Sequence, residues 1–296
     1  MKEVLQRYQD KYGTLKKENS PISPLVRPEL DTSELLCNAG IPQYQHIFGI
    51  SQWLVTSGRI DLTFAVSSLS RFSCAPRKGH LDMAKRIFGY LKKFPKKGYV
   101  IHPLPPKVDI PIESLKHDFG HQYDYFTEEL DPRFPEPLLQ ELEINIFADA
   151  DHGHDKTTGR SITGILAMVG STPTTWSAKR QPCVQTSTFG SEFIALKKAV
   201  EGSITLRYHL RSMGVHVTAP TTIFVDNMGV ILNSTNPAST LNKKPVALSY
   251  HFVREHFANN VINIIKIATD QNYADPFTKA LNTTQFNAFF YAILRN

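Results

Sequence analysis

No uninterrupted apolar run in the 296 residues approaches the roughly 18 that a membrane-spanning helix needs, which excludes a transmembrane segment. The first residues, MKEVLQRYQDKYGTLKKENS, lack the apolar centre of a secretory signal, so an intracellular protein, cytoplasmic or nuclear, is expected. Cysteine is scarce. Cys37, Cys74 and Cys183 are too few and too scattered for a disulfide scaffold or a zinc cluster. Internal repeats and low-complexity tracts are absent too, and no motif specifies an oligomeric state. What is left is an ordinary globular composition, 41 % hydrophobic and 20 % charged, long enough for two modest domains. The net charge of +6 points only weakly to an anionic partner.

That charge is unevenly laid out. Residues 109–143 carry ten acidic groups and two basic ones, a local −8 that leaves the rest of the chain at +14. Seven prolines fall within 103–137. They lock φ and remove ladder donors, so 104–142 reads as an irregular acidic connector between two units. Before it, residues 1–103 read as mainly helical, with apolar residues at three- and four-residue spacing over 51–56, 61–72 and 80–94. In the last of these, Leu81, Ala84, Ile87, Phe88 and Leu91 form one stripe, with Lys85, Arg86, Lys92 and Lys93 opposite. Six cations and no anion fall between 84 and 98. Such a face is either simply solvated or a phosphate-contacting surface, since clustered cations release condensed counterions when they bind nucleic acid.

Residues 143–296 follow a different pattern. Strands are expected at 144–149, 161–170, 174–177, 222–225 and 261–267, and helices at 188–213, 248–258 and 273–281. This order makes a mixed-sheet α/β domain. Four carboxylates fall at element ends. Asp149 closes the first strand, Glu192 lies early in the long helix, Asp226 follows the fourth strand and Asp275 opens the last helix. Strand ends and helix starts gather at one edge of an α/β sheet, so the four can converge there. Singly, each is as readily a cap or a turn residue. Together they would repel one another unless a cation neutralised them, and hard oxygen ligands suit Mg²⁺ or Mn²⁺. Two such ions can hold the attacking water and the leaving oxygen of an in-line phosphodiester cleavage.

The motifs FADADHGHD, TGRSITGILAMVG, TTWSAKRQPCVQTSTFGSEFIAL, VDN, YHFVREHF and ADPFTKAL follow one another in an order that strongly resembles the ribonuclease H domain of copia-type LTR retrotransposon Pol polyproteins. Upstream, SGRIDLTFAVSSLSRFSCAPRKGHLDMAKRIFGYLKK resembles the thumb and connection end of the reverse transcriptase in the same polyproteins. The resemblance covers about residues 1–103 and 143–285. It implies an α/β fold, a ribonuclease H-like mixed five-stranded sheet with flanking helices over 143–296, preceded by a mainly helical thumb- or connection-like segment over 1–103. It also implies a metal-dependent endoribonuclease that uses two Mg²⁺ or Mn²⁺ ions to cleave the RNA strand of RNA–DNA hybrids, in a retrotransposon particle or the nucleus. Carried over residue by residue, the catalytic and metal-binding carboxylates are Asp149, Glu192, Asp226 and Asp275, with Asp151 in reserve. The paired-Asp motif of the polymerase is absent, as are a protease and an integrase, so a truncated polyprotein without polymerase activity is expected.

The chain departs from the family pattern at two places. Gly190 stands where the family has a Glu, and Lys244, Pro245, Val246 and Ala247 stand where it has Lys-His-Ile-Asp. Lys179 and Arg180, expected in the loop after the third strand, and Ser187, at the start of the long helix, either grip phosphate or serve as a solvated loop and an N-cap. With Lys85, Arg86, Lys92 and Lys93 they make up the expected nucleic-acid surface. His251 and Arg254 read as structural residues or proton shuttles, Trp176 as core, and Cys183 as part of a buried strand. Two other functions compete: a non-catalytic nucleic-acid-binding remnant, and a DNA nuclease of the same fold. Integrases of that fold place their Glu last, unlike the order here.

Overall fold

The structure, a computed structural model, describes residues 2–102, 118–138, 140–240 and 247–295. The N-terminal part holds four helices, α1 (Lys2–Tyr12), α2 (Gly40–Thr56), α3 (Thr63–Ser70) and α4 (Lys78–Lys93), and a short strand, β1 (Gly98–Tyr99). The stripe Leu81, Ala84, Ile87, Phe88 and Leu91 of α4 is buried. The opposite face of α4 is lined by residues 9–20. Gly89 permits this close approach, since a Cβ there would sit 2.2 Å from the carbonyl oxygen of Lys16. Beneath α4, Arg59 and Asp61 form a buried ion pair at 2.8 Å, and the Tyr90 hydroxyl donates to Asp61 Oδ2 at 2.7 Å.

The rest of the chain continues as β2 (Ile144–Asp151), β3 (Ile162–Val169), β4 (Thr172–Arg180), α5 (Thr188–Ser212), β5 (Thr221–Val225), α6 (Met228–Thr235), α7 (Ala247–Ala258), β6 (Ile262–Lys266), α8 (Thr283–Ile293) and β7 (Leu294–Arg295). Five of these strands form one sheet in the order β4-β3-β2-β5-β6. β2, β3 and β4 are antiparallel neighbours, whereas β5 and β6 run parallel to β2. Alternation along the strands divides the core in two. Ile144, Ile146 and Ala148 of β2, with Ile223 and Val225 of β5, pack with Phe193, Leu196 and Val200 of α5 and Val253 of α7. Phe147 and Phe224 point to the other side, where their rings stack at 4.8 Å. They join a core shared with Leu54, Ile60 and Leu91 from the N-terminal part and Phe286 and Phe290 from α8.

The N-terminal helices and the sheet therefore share a single core. Polar contacts reinforce it. Trp176 Nε1 donates to the Val55 carbonyl at 3.2 Å, Ser67 Oγ donates to the Ala178 carbonyl at 2.5 Å, and Arg71 pairs with Asp155 at 2.9 Å. β1 pairs antiparallel with β7, which ties residues 98–99 to residues 294–295.

The part of the acidic connector that is described, residues 118–138 and 140–142, holds no helix or strand, yet it is strapped to the sheet domain. Glu128 pairs with Arg207 at 2.6 Å and Arg211 at 2.8 Å. Glu141 accepts the backbone N–H groups of Thr218 (2.9 Å) and Ala219 (2.6 Å). Phe126 packs against the α5 side of the core. Prolines 103, 105, 106 and 111 lie outside the described residues.

Three sequence expectations are corrected. Residues 273–281 do not form the last helix. Asp275–Phe277 make one 3₁₀ turn, because Thr278 Oγ1 bonds back to the Asp275 carbonyl, and the Asn282 side chain then accepts the Gln285 N–H and starts α8 afresh. Lys179 and Arg180 lie on β4, which runs further than the 174–177 expected, rather than in a loop. Cys183 is exposed in the connection from β4 to α5 instead of buried in a strand. Among the described residues no helix is long and apolar enough to cross a membrane.

Candidate active site

β2 and β5 both carry a Phe-x-Asp: FAD at 147–149 lies inside β2, which runs two residues beyond the Asp149 expected to close it, and FVD at 224–226 ends one residue past β5. Their parallel register pairs Phe147 with Phe224. A period of two then places Asp149 and Asp226 next to each other, on the side of the stacked rings. Glu192 arrives from the opposite face, on α5. That helix is started by Ser187, whose Oγ accepts the Gly190 N–H at 3.2 Å. The backbone N–H of Ala150 favours the charged form of the Glu192 carboxylate, which reaches β2 at the same point. One oxygen each from Asp149, Glu192 and Asp226 lies within 4.8 Å of the others. The two aspartates are held in place. Thr278 Oγ1 donates to Asp149 Oδ2 at 2.5 Å, and Thr269 Oγ1 donates to Asp226 Oδ2 at 2.8 Å.

Asp275 is close by but outside this triad. Its Oδ1 sits 2.5 Å from Lys279 Nζ, in an ion pair without an aligned hydrogen bond. Asp151, the reserve candidate, is engaged with His154 at 2.6 Å. The turn 275–279 comes close to the sheet at Gly164, which lies opposite Asp149 on β3. A Cβ on Gly164 would lie 2.7 Å from both the Ala274 carbonyl oxygen and Thr278 Cγ2, so only glycine lets the turn reach Asp149. Nothing in the composition marks Gly164; the F-x-D repeat on two parallel strands and the Thr-Lys pair after Asp275 are the signals that sequence reasoning passed over.

Burial, followed by the charges of Asp275 and Asp226, pushes the Asp149 carboxyl up to about 6. Burial and the charges of Asp149 and Asp226 push Glu192 up to about 9. Burial also raises Asp275, although Lys279 opposes it. Asp149, Glu192 and Asp275 hold protons more tightly than ordinary carboxylates, first because they are buried and then because like charges sit beside them. A divalent cation fits this set. The three donors are hard oxygens from separate parts of the chain, and a cation would relieve the repulsion that, with burial, raises the proton affinity of Asp149 and Glu192.

The expected nucleic-acid residues fare differently. Ser187 is the N-cap of α5. Lys179 is exposed and follows Ala178, which lies in one cross-strand row with Gly164 and Asp149. Arg180 pairs with Asp155 at 2.8 Å. On α4 the cations are engaged within the chain. Arg86 pairs with Glu18 at 2.9 Å, Lys92 donates to Gln9 (2.6 Å) and to the Leu15 carbonyl (2.9 Å), Lys93 donates to Asn19, and Lys85 pairs with Asp82 at 3.1 Å. This face binds residues 9–20, a role that spacing alone did not reveal. Arg254 is buried, donating to the carbonyls of Asn233 (3.0 Å) and Asn236 (2.7 Å), and His251 meets the Tyr123 hydroxyl at 3.0 Å; both serve the strap. Of the departures from the family pattern, Lys244, Pro245 and Val246 lie outside the described residues and Ala247 begins α7. At Gly190, a Cβ would meet the flexible end of Gln185 at 2.9 Å.

The sheet order, the strand directions and the flanking helices define a ribonuclease H-like fold of the α/β class. Over about nine-tenths of its length the chain is homologous to retrovirus-related Pol polyproteins from transposons. It is 26 % identical to that of transposon RE1 from Arabidopsis thaliana over 93 % of this chain, and 24 % identical to that of transposon TNT 1-94 from Nicotiana tabacum over 91 %. It spans only 16 % and 18 % of those relatives. No family model matches the chain. Among solved structures, it is similar to the N-terminal RNase H domain of a Mycobacterium tuberculosis protein (15 % identity, 51 % of this chain and 99 % of that one, TM-score 0.36). It is also similar to LC11-RNase H1 in complex with an RNA/DNA hybrid (14 % identity, 46 % and 94 %, TM-score 0.36).

Proposed function

We propose that the chain is a divalent-metal-dependent endoribonuclease of the ribonuclease H type, which cleaves the RNA strand of RNA–DNA hybrids for a transposon Pol polyprotein. The observation that carries this reading is the convergence of Asp149, Glu192 and Asp226 within 4.8 Å beside the C-terminal parts of β2 and β5. With Asp275 adjoining, these residues would hold Mg²⁺ or Mn²⁺. A bound ion would supply the positive charge that makes water a stronger nucleophile and stabilises charge developing on phosphate. The chain itself contributes orientation. Thr278 and Thr269 fix the aspartates, and Gly164 lets the 275–279 turn come up against Asp149. Selection of a hybrid would rest on duplex shape and 2′-hydroxyl contacts rather than base reading. Of the expected cations, Lys179 is exposed on β4 and would be the one to meet a phosphate. Such an enzyme would act inside the cell, in a retrotransposon particle or the nucleus.

The test is cleavage of a labelled RNA strand annealed to DNA, with Mg²⁺, by the full chain and by Asp226→Asn. Internal cuts by the first and none by the second are expected. No metal-dependent cutting by the intact chain would leave a nucleic-acid-binding remnant, and cutting of duplex DNA in its place would make it a DNA nuclease.

A further inference from the structure

We propose that Lys279 is a built-in counter-cation that keeps Asp275 out of the carboxylate triad, so that the site takes one divalent ion readily and a second only when Lys279 is displaced. This deepens the nuclease reading and rests on it. Four carboxylates were expected to act alike, but they do not sit alike. Three present oxygens to one another, whereas Asp275 presents its Oδ1 to the Lys279 ammonium at 2.5 Å. The Asp275 side chain is 7 % exposed, so the carboxylate of this pair is buried while its ammonium partner reaches solvent.

The backbone enforces the pairing. Asp275 and Lys279 lie four residues apart across a 3₁₀ turn, and Thr278, between them, is bonded to both Asp149 and the Asp275 carbonyl. Lys279 cannot drift away as a unit with its turn. Its side chain can leave alone, because it is 41 % exposed. A destination exists too. Lys279 borders a small cavity also lined by Glu29, which offers another carboxylate, and by Arg27 and Arg71. At 2.5 Å from Asp275 Oδ1, the ammonium already neutralises part of the site. An incoming second cation would compete with it directly.

The experiment is a Mn²⁺ titration of the full chain without nucleic acid, with bound ions counted by calorimetry and electron paramagnetic resonance. Wild type should show one tighter and one weaker binding event. Lys279→Met should tighten the weaker event by about tenfold, the size of one lost ionic competitor, and leave the tighter one within about twofold. Lys279→Arg, which keeps the charge, should retain the wild-type pattern. Asp275→Asn should abolish the weaker event and spare the tighter one, which provides a second route should Lys279→Met fold poorly. Unchanged affinities in folded Lys279→Met would overturn the proposal, as would equal weakening of both events in Asp275→Asn. Ion binding in this pattern without hybrid cleavage would remove the nuclease reading alone, and no ion binding at all would remove both.

Discussion

The two faces of the five-stranded sheet are closed by different parts of the chain. The face of Ile146, Ala148 and Ile223 is covered by α5 and α7, which follow their strands in sequence, as sheet helices usually do. The face of Phe147, Leu166 and Phe224 is covered by helices that precede the sheet, across the acidic segment, together with α8. The first face could form within residues 143–296. The second depends on residues 1–102. The carboxylate site lies where the two meet, with Asp149 and Asp226 on the second face and Glu192 on the first. The helical part therefore supports the candidate nuclease structurally, whether or not it ever touches a nucleic acid.

The largest test of this asymmetry is excision. Residues 143–296 alone would expose the second face to water, and they should lose cooperative thermal unfolding and near-ultraviolet circular dichroism while keeping much of their secondary structure. A sharp melt equal to that of the full chain would show that the second face needs no cover. A smaller effect is expected where the faces meet. Asp149 and Glu192 stay protonated in the folded chain over a range where the unfolded chain has lost those protons. With metal chelated, stability should therefore fall as pH rises from about 4 to about 9, by on the order of 1.4 kcal/mol per pH unit for each group titrating. Denaturant titrations at pH 5, 7 and 9 measure this; Glu192→Gln should flatten the upper part of the decline, and a flat wild-type profile would contradict it. The smallest effect is expected on the outer side of α4. Lys92→Ala with Lys93→Ala should cost about 1 kcal/mol of stability by releasing residues 9–20. It should leave the salt dependence of hybrid binding unchanged, and a shallower slope would return those lysines to the nucleic-acid surface.

Periodicity made β2, β3, β5, β6 and α5 legible, because strand alternation and helical spacing act on neighbouring residues. The stripe on α4 was legible as buried, but not what it was buried against, since a stripe carries no address. The same limit hid the second face. Thr278, beside the 3₁₀ turn that replaces the last expected helix, is also bonded to Asp149, a partner 129 residues away that spacing cannot report. The triad was legible because strand ends gather at one edge. That Asp275 stands apart was not, because the lysine that holds it is ordinary in composition and distinctive only in position. The acidic connector was legible as acidic, yet Glu128 and Glu141 turned out to bond to α5 and the residues after it, and this appears only in three dimensions.

The pairing of β1 with β7 brings together residues about two hundred positions apart. A ribosome releases the N-terminal helices long before Leu294 and Arg295 exist. Until then Gly98 and Tyr99 have no strand to pair with, and the apolar side of α3 that later rests on β4 has no sheet beneath it. Until the sheet strands have been made, that surface of the helical part has no cover.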